Sequence, residues 1–294
     1  MKTGIVVEGG GMRGIYAAGV LDVLLEHGIK ADGLVGVSAG AIHGCSFVAG
    51  QAGRSIRYNL KYCRDPRYMS FRSLVMTGDL VGNEFCYHEL PERLDPFAND
   101  AFEASPMEFY ATCTDVETGR PVYHRCGSLR GENIQWIRAS ASMPLVSRIV
   151  EIDGQKLLDG GVSDSIPVAA FRKMGFKRSL VILTRPDGYR KKPNQMLPAI
   201  RRVYRRYPEF IKTMECRHLM YNRELEEVRR MEAAGEIFVI RPSRLIKISR
   251  TENRPEKIQQ MYELGRLDGM KALKNPAVFL GLEPAGQGKY YSNF

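Results

Sequence analysis

The chain is poor in several features that would otherwise decide its class. No apolar run approaches the roughly 20 residues needed to cross a bilayer. The stretch from Met1 to Gly9 has an apolar run cut by Glu8 and Gly9, too short for the core of a secretion signal. Its six cysteines are scattered without a Cys-x-x-Cys pair, which fits neither a zinc site nor a dense disulfide framework. Free thiols in a reducing compartment follow, and no metal or cofactor is expected. The common nucleic-acid signatures are missing as well, so no nucleic-acid partner is expected despite 43 basic against 33 acidic residues. That surplus suits an anionic phospholipid surface equally well. What remains is a cytoplasmic protein, peripheral at most to the inner membrane surface, with enough of its 294 residues apolar to bury a proper core.

What is present centres on Gly36-Val37-Ser38-Ala39-Gly40. The short apolar run Gly33 to Val37 reads as a strand that stops on a serine, and small then apolar residues at helical spacing follow it. Strand gives way to helix at Ser38 itself, which is the shape of a nucleophile elbow. Gly36 and Gly40 are needed there because side chains two before and two after the serine would collide with the neighbouring strand and helix. The same pattern also occurs in ordinary strand-to-helix turns, so a nucleophile requires two partners elsewhere: donors for an oxyanion and a base for the hydroxyl proton.

The first partner lies near the start. Lys2 to Val7 reads as a strand and runs into Gly9-Gly10-Gly11-Met12-Arg13-Gly14. A helix follows through Ile15, Ala18, Leu21 and Leu25, closed by Gly28. Gly9, Gly11 and Gly14 satisfy the dinucleotide-binding pattern, but that reading expects an acidic residue after the second strand, where Ser38 stands; Asp32 lies before it. The alternative is a loop whose amides face the elbow across the carboxyl ends of adjacent strands, with no side chain to obstruct a close approach. Arg13 either holds this loop or meets an anionic head group.

Between Ala49 and Pro106 the pattern is irregular, and Phe71, Leu74, Val75, Met76, Phe85 and Tyr87 supply apolar bulk for either a lid or the core. Glu108 to Thr114 and Pro121 to His124 form a predicted hairpin, and Ile134 to Ala141 a predicted helix. A second strand pair turns at Asp153-Gly154 and ends on Asp159-Gly160-Gly161, a carboxylate on a bare turn. Ser179 to Thr184 reads as a buried strand. From Gln195 to Glu236 the chain reads as helical, and Arg201, Arg202, Arg205 and Arg206 give residues 197–230 a basic, amphipathic character. Its apolar side either packs inward or supplies a peripheral membrane contact. Ile237 to Ile240 returns as a strand, Glu256 to Leu273 as a last helix, and the Gly/Pro-rich tail to Phe294 as loosely ordered chain.

Taken in order, the glycine loop, the Ser38 elbow and Asp159-Gly160-Gly161, with Ala139-Ser140-Ala141-Ser142-Met143-Pro144 ahead of the aspartate, resemble the patatin-like phospholipase family. The resemblance covers roughly Lys2 to Arg172; Glu8 stands where the family often has Asp. It implies a three-layer α/β/α fold with a mostly parallel central sheet and a helical C-terminal extension. The expected division is a catalytic domain over 1–185 and a C-terminal helical region with one returning strand over 195–294. It further implies a serine lipid acyl hydrolase acting on a lipid or phospholipid ester, with Ser38 as nucleophile, Asp159 as base and the glycine loop as oxyanion hole. Two other enzymes remain open: an acyltransferase, and a Ser-His-Asp α/β-hydrolase using His218, which would normally place several strands before its elbow rather than one. A non-catalytic lipid-binding protein would not need Ser38 and Asp159 together.

Overall fold

A computed structural model describes residues 1–273 and 279–280. The tail expected to be loosely ordered lies for the most part outside the described residues. In chain order the elements are β1 (Lys2–Val7), α1 (Ile15–Glu26), β2 (Gly33–Val37), α2 (Ala39–Val48), α3 (Arg54–Tyr62), α4 (Phe71–Thr77), α5 (Asn99–Glu103), β3 (Glu108–Asp115) and β4 (Pro121–Arg125). Then come α6 (Gln135–Ala141), β5 (Val150–Ile152), β6 (Gln155–Asp159), α7 (Val168–Lys173), β7 (Phe176–Ile182), α8 (Leu197–Val203), α9 (Pro208–Ala233), β8 (Ile237–Ile240) and α10 (Pro255–Ala272).

All of the described strands join one sheet in the order β5-β6-β3-β2-β1-β7-β8, with β4 on β3. The run from β3 to β8 is parallel, while β4, β5 and β6 are antiparallel additions. Alternate residues of the central strands feed opposite faces, as the two-residue period of a strand requires. Ile5, Val7, Leu34, Leu180 and Ile182 join a core with α1, α2 and α10, whereas Val6, Val35 and Val181 join another with α7 and α9. Helices therefore cover both faces, which is why these strands read as continuous apolar runs. The three-layer, mostly parallel fold expected from the sequence is the one observed.

Beyond residue 195, β8 extends the same sheet and α10 packs on α1. The α1/α10 crossing is close because glycines face backbone. A Cβ on Gly19 would lie 2.2 Å from the Tyr262 carbonyl oxygen, and one on Gly265 only 2.0 Å from that of Tyr16. Buried hydrogen bonds flank this crossing, from Tyr16 to Asp268 and from Tyr262 to Asp22.

Two local readings change. The helical stretch from Gln195 is broken between α8 and α9, because Pro208 has no N–H to donate and pushes Tyr207 out of helical geometry, to φ −125° and ψ 72°. The apolar bulk after Ala49 divides: Phe85, Tyr87 and Leu90 are buried, whereas Phe71, Val75 and Met76 on α4 are exposed.

A methyl group at Gly265 has no space at the helix crossing. Gly265→Ala should lower stability by about 1–3 kcal/mol in urea denaturation. Gly127→Ala, where nothing lies within 4 Å of the added Cβ, should leave the midpoint in place.

Candidate active site

β2 ends at Val37 and α2 begins at Ala39, so Ser38 alone makes the turn. Its backbone sits at φ 56° and ψ −123°, a region that non-glycine residues rarely occupy and that costs energy to hold. The flanking glycines are required by contact. A Cβ on Gly36 would lie 2.5 Å from Ala41 Cα, and one on Gly40 would lie 2.4 Å from the Val7 carbonyl oxygen. The Ser38 N–H donates to Ser140 Oγ at 2.9 Å, and the Ser140 hydroxyl donates in turn to the Thr112 carbonyl at 2.7 Å. A buried serine on α6 thus fastens the elbow to β3.

Asp159 reaches the elbow through β3, whose two edges are used differently. Along one edge Tyr110 to Thr114 pair with β4. Along the other, β2 pairs with Glu108 to Thr112 and stops, and β6 takes over with Cys113 to Asp115. Val37 lies opposite Thr112 and Asp159 opposite Cys113. The ends of β2 and β6 therefore meet, with Ser38 on one and Asp159 on the other. Gly160 permits this, since a Cβ there would fall 2.2 Å from the Thr112 carbonyl oxygen.

Burial raises the Asp159 pKa above the ordinary carboxylate value; the neighbouring Ser38 hydroxyl, then Arg217 and the Gly161 N–H, oppose that rise. The Gly161 N–H donates to Asp159 Oδ1 at 2.7 Å. The Gly161 carbonyl accepts from Arg217 Nε at 2.6 Å and from Ser165 Oγ at 2.9 Å, so the turn carrying the carboxylate is held from both sides.

The glycine loop lies against the elbow. A Cβ on Gly9 would be 2.9 Å from Ser38 Cβ, and one on Gly14 would be 2.5 Å from Ala39 Cβ. Gly11 has φ +58°, and a Cβ there would meet the Arg250 carbonyl oxygen at 2.7 Å. The loop amides are not equivalent: the Met12 N–H donates to the Arg250 carbonyl and the Arg13 N–H to the Gly10 carbonyl. Among the described residues, the N–H groups of Gly9, Gly10 and Gly11 have no acceptor, nor does that of Ala39 at the start of α2. The Ala39 amide was missed in the sequence, although the residue after an elbow nucleophile is its usual source.

Glu8 anchors the loop. Its buried carboxylate accepts from the Thr184 N–H and hydroxyl at the end of β7, and from the Tyr221 hydroxyl of α9 at 2.6 Å. Thr184 Oγ1 also lies 3.0 Å from the Gly9 carbonyl. Thr184 and Tyr221 carry no motif, and only the fold brings them to Glu8.

Ser38, Asp159 and the loop glycines line one cavity of about 350 Å³. Leu80, Leu145, Val146, Met196 and Ile200 give it apolar walls, and Arg13, Arg185, Lys191, Arg217 and Arg250 make the rest strongly basic. No described histidine lines it. His218 lies on α9 with its Nδ1 buried and unpartnered. His43 is bonded to Ser55 Oγ, and burial pushes its pKa down to about 4. Asp32 binds Thr3 at the opposite end of β1 from the glycine loop. No group of three or more His, Cys, Asp or Glu among the described residues is placed to hold a metal ion.

These features define a class: a three-layer α/β protein with a strained serine and a buried aspartate meeting at one end of a mostly parallel sheet, beside a loop of free amides. Comparison with known proteins then gives the family. The patatin-like phospholipase model matches residues 5–172, and the chain belongs to that family. A second model, a domain of unknown function (DUF6363), matches residues 207–281. The uncharacterized protein YjjU of Escherichia coli (strain K12) is 26% identical over 275 residues, spanning 91% of this chain and 76% of that protein. Lysophospholipase nte1 of Aspergillus terreus is 30% identical over 181 residues, 59% of this chain and 11% of the relative. The solved structure of VipD from Legionella pneumophila aligns with 93% of this chain and 67% of its own, at a TM-score of 0.46 and 11% identity.

The Glu8 anchor can be tested by deleting one oxygen. Tyr221→Phe leaves Glu8 Oε1 buried without its donor and should cost about 1.5–3 kcal/mol in chemical denaturation. An unchanged midpoint would mean that the bond does not hold the loop.

Proposed function

We propose that the protein is a serine lipid acyl hydrolase, of phospholipase A or lysophospholipase type, with Ser38 as nucleophile and Asp159 as its base. The observation that carries this reading is the meeting of Ser38 and Asp159 at the joined ends of β2 and β6, inside a cavity bordered by free glycine amides. The name of the nte1 relative, a lysophospholipase, agrees with it.

An aspartate with an ordinary pKa near 3.9 is a weak base for a serine hydroxyl. Desolvation strengthens it, and burial does so at Asp159. In the proposed first step Ser38 Oγ attacks the ester carbonyl and Asp159 takes the hydroxyl proton. Asp159 then passes that proton to the leaving alcohol. Water, deprotonated by the same carboxylate, cleaves the acyl-enzyme and releases the fatty acid. The amides of Gly9, Gly10, Gly11 and Ala39 are the donors for the oxyanion, and losing one such donor typically costs about 3 kcal/mol.

Exposed apolar residues stand close in sequence to residues that line the cavity, which suits work at a lipid interface. On α4, Phe71 and Met76 are each 74% exposed, and two residues past its Gly78 end Leu80 lines the cavity. Met196, which also lines the cavity, is 54% exposed, Val203 on α8 is 61% exposed, and Arg201, Arg202, Arg205 and Arg206 are all solvent-facing. Exposed apolar residues and exposed arginines on α8 and the turn after it fit an anionic bilayer surface. Within residues 197–230 the reading rests on α8 and the turn after it, with Leu219 on α9 also 58% exposed. The apolar side of α9, through Phe210, Met214, Tyr221 and Leu225, is inside the core. No described helix is long and apolar enough to cross a membrane.

Ser38→Ala and Asp159→Asn should each remove at least about 99.9% of the turnover of a short-chain p-nitrophenyl ester without unfolding the protein, while His218→Ala should stay within a few-fold of wild type. Near-wild-type activity in Asp159→Asn would sink the dyad. Because the base must be ionised, turnover should fall as pH drops through the raised Asp159 pKa. The acid limb of kcat/KM should therefore lie above the ordinary aspartate range; a limb at or below that range would assign the base elsewhere. Replacing Phe71 and Met76 together with Ser should weaken sedimentation with phosphatidylglycerol vesicles several-fold, and unaltered sedimentation would take α4 out of the interface.

A further inference from the structure

The cavity contains more positive charge than the proposed hydrolysis uses. Arg13, Arg185, Lys191, Arg217 and Arg250 all line it, against the carboxylates of Glu8 and Asp159. Elsewhere half-buried arginines are paired, Arg138 with Asp79 and Arg241 with Asp187 and Glu232. None of the five cavity cations has a carboxylate within ion-pair distance among the described residues. What they do contact is neutral: Arg217 holds the Gly161 carbonyl, Arg185 stacks over Tyr189, and the Lys191 ammonium sits 3.8 Å from the Tyr221 ring centroid. The Arg13 Nε is buried with no partner.

These charges feel one another. Burial and then Arg185 and Arg250 hold Arg13 down at about 10, while burial and then Arg217 and Arg250 push Lys191 down to about 7. Glu224 offsets part of the charge on Lys191 and Arg217, but burial and its contact with Asp164 raise its own pKa well above the ordinary range and weaken that offset. The Glu8 carboxylate partly offsets Arg13 and Lys191 at a distance, while its hydrogen bonds go to Thr184 and Tyr221 rather than to any of the cations. Arg13, Arg185, Lys191 and Arg217 are partly buried and Arg250 is exposed; holding like charges together away from water is unfavourable unless something anionic joins them.

Accepting the hydrolase reading, we infer that the cavity selects lipid esters whose head group is a phosphate monoester, bound by Lys191, Arg217 and Arg250 together with Arg13 and Arg185 while the acyl ester lies against Ser38. Two charges on one compact group match this density of donors, and guanidinium forks suit phosphate oxygens. A phosphocholine head group would bring a fixed positive charge into the same cluster, and a neutral glyceride would leave the cluster unneutralised. Both are disfavoured. Lys191, Arg217 and Arg250 lie beyond the family match at 5–172, and two of them fall within 207–281. The head-group preference is therefore carried by the C-terminal part of the chain and the ester chemistry by the N-terminal part.

The test separates binding from turnover. Ser38→Ala protein is titrated calorimetrically, below the critical micelle concentration, with 1-acylglycerol 3-phosphate, with the monoacylglycerol and lysophosphatidylcholine of the same chain, and with glycerol 3-phosphate. The acyl phosphate should bind roughly tenfold or more tightly than either uncharged or zwitterionic lipid. In Lys191→Gln/Arg250→Gln that preference should fall to about threefold or less, with circular dichroism checking the fold. Equal affinity for the three lipids would overturn the inference, as would a preference that survives the double substitution. Glycerol 3-phosphate binding as tightly as the acyl phosphate would assign the cluster to a soluble phosphate ester and overturn the lipid part. Wild-type turnover of the same lipids supplies the second arm. A binding preference without hydrolysis of any lipid refutes the hydrolase reading alone, whereas hydrolysis of all three at similar kcat/KM refutes the head-group inference alone.

Discussion

Thr112 and Cys113 are adjacent on one edge of β3, and they bind two different strands. Thr112 closes the parallel ladder with β2 at Val37; Cys113 opens the antiparallel ladder with β6 at Asp159. Backbone register alone then fixes the spacing between a serine and an aspartate that are far apart in sequence. A one-residue slip in β6 would turn its side chains to the other face and take Asp159 out of the cavity. The fastenings around this junction all protect it: Ser140 ties the elbow to the Thr112 carbonyl, and Gly160 lets the Asp159 turn lie against the same carbonyl. The strain held at Ser38 persists because so many neighbours determine it.

The C-terminal part of the chain is tied into this junction. Tyr221 on α9 completes the coordination of Glu8 and so steadies the glycine loop, while Arg217 on the same helix holds the turn of Asp159. Arg250 takes up the Met12 amide and packs against Gly11, leaving the Gly9, Gly10 and Gly11 amides free. The aspartate turn and the glycine loop are thus each supported by residues outside the segment that carries the motifs, whereas the serine is held from within it by Ser140. Of these supports Arg217 and Arg250 also bring positive charge into the cavity, so under the proposed reading structural support and attraction for an anionic head group share two residues.

What could be read from the sequence was local. The strand-to-helix switch at Ser38, the helix closed by Gly28 and the turn at Asp153-Gly154 each depend on a few neighbouring residues, and the structure has positive φ at all four of these residues. The layered, mostly parallel class followed from the resemblance carried by these local motifs. What could not be read depended on contacts between distant segments: the end-to-end meeting of β2 and β6, the Glu8–Thr184–Tyr221 anchor, and the gathering of Lys191, Arg217 and Arg250. Ser140 lay within a stretch recognised by resemblance, but its bond to the Ser38 amide has no sequence signal. The exposed face of α4 was hidden for a different reason. Composition supplied Phe71, Val75 and Met76 as apolar bulk, and only packing shows that they are left in solvent while Phe85 and Tyr87 are not.

The central claim is that Ser38, held in the cavity beside Asp159, is an activated nucleophile. It is tested most directly by covalent trapping: the folded wild-type protein is treated with a fluorophosphonate carrying an alkyl chain, and the modified residue is mapped by mass spectrometry. One equivalent of label on Ser38, absent when the protein is unfolded beforehand, is the expected result. A folded protein that hydrolyses esters yet carries the label on another residue, or none, would contradict it.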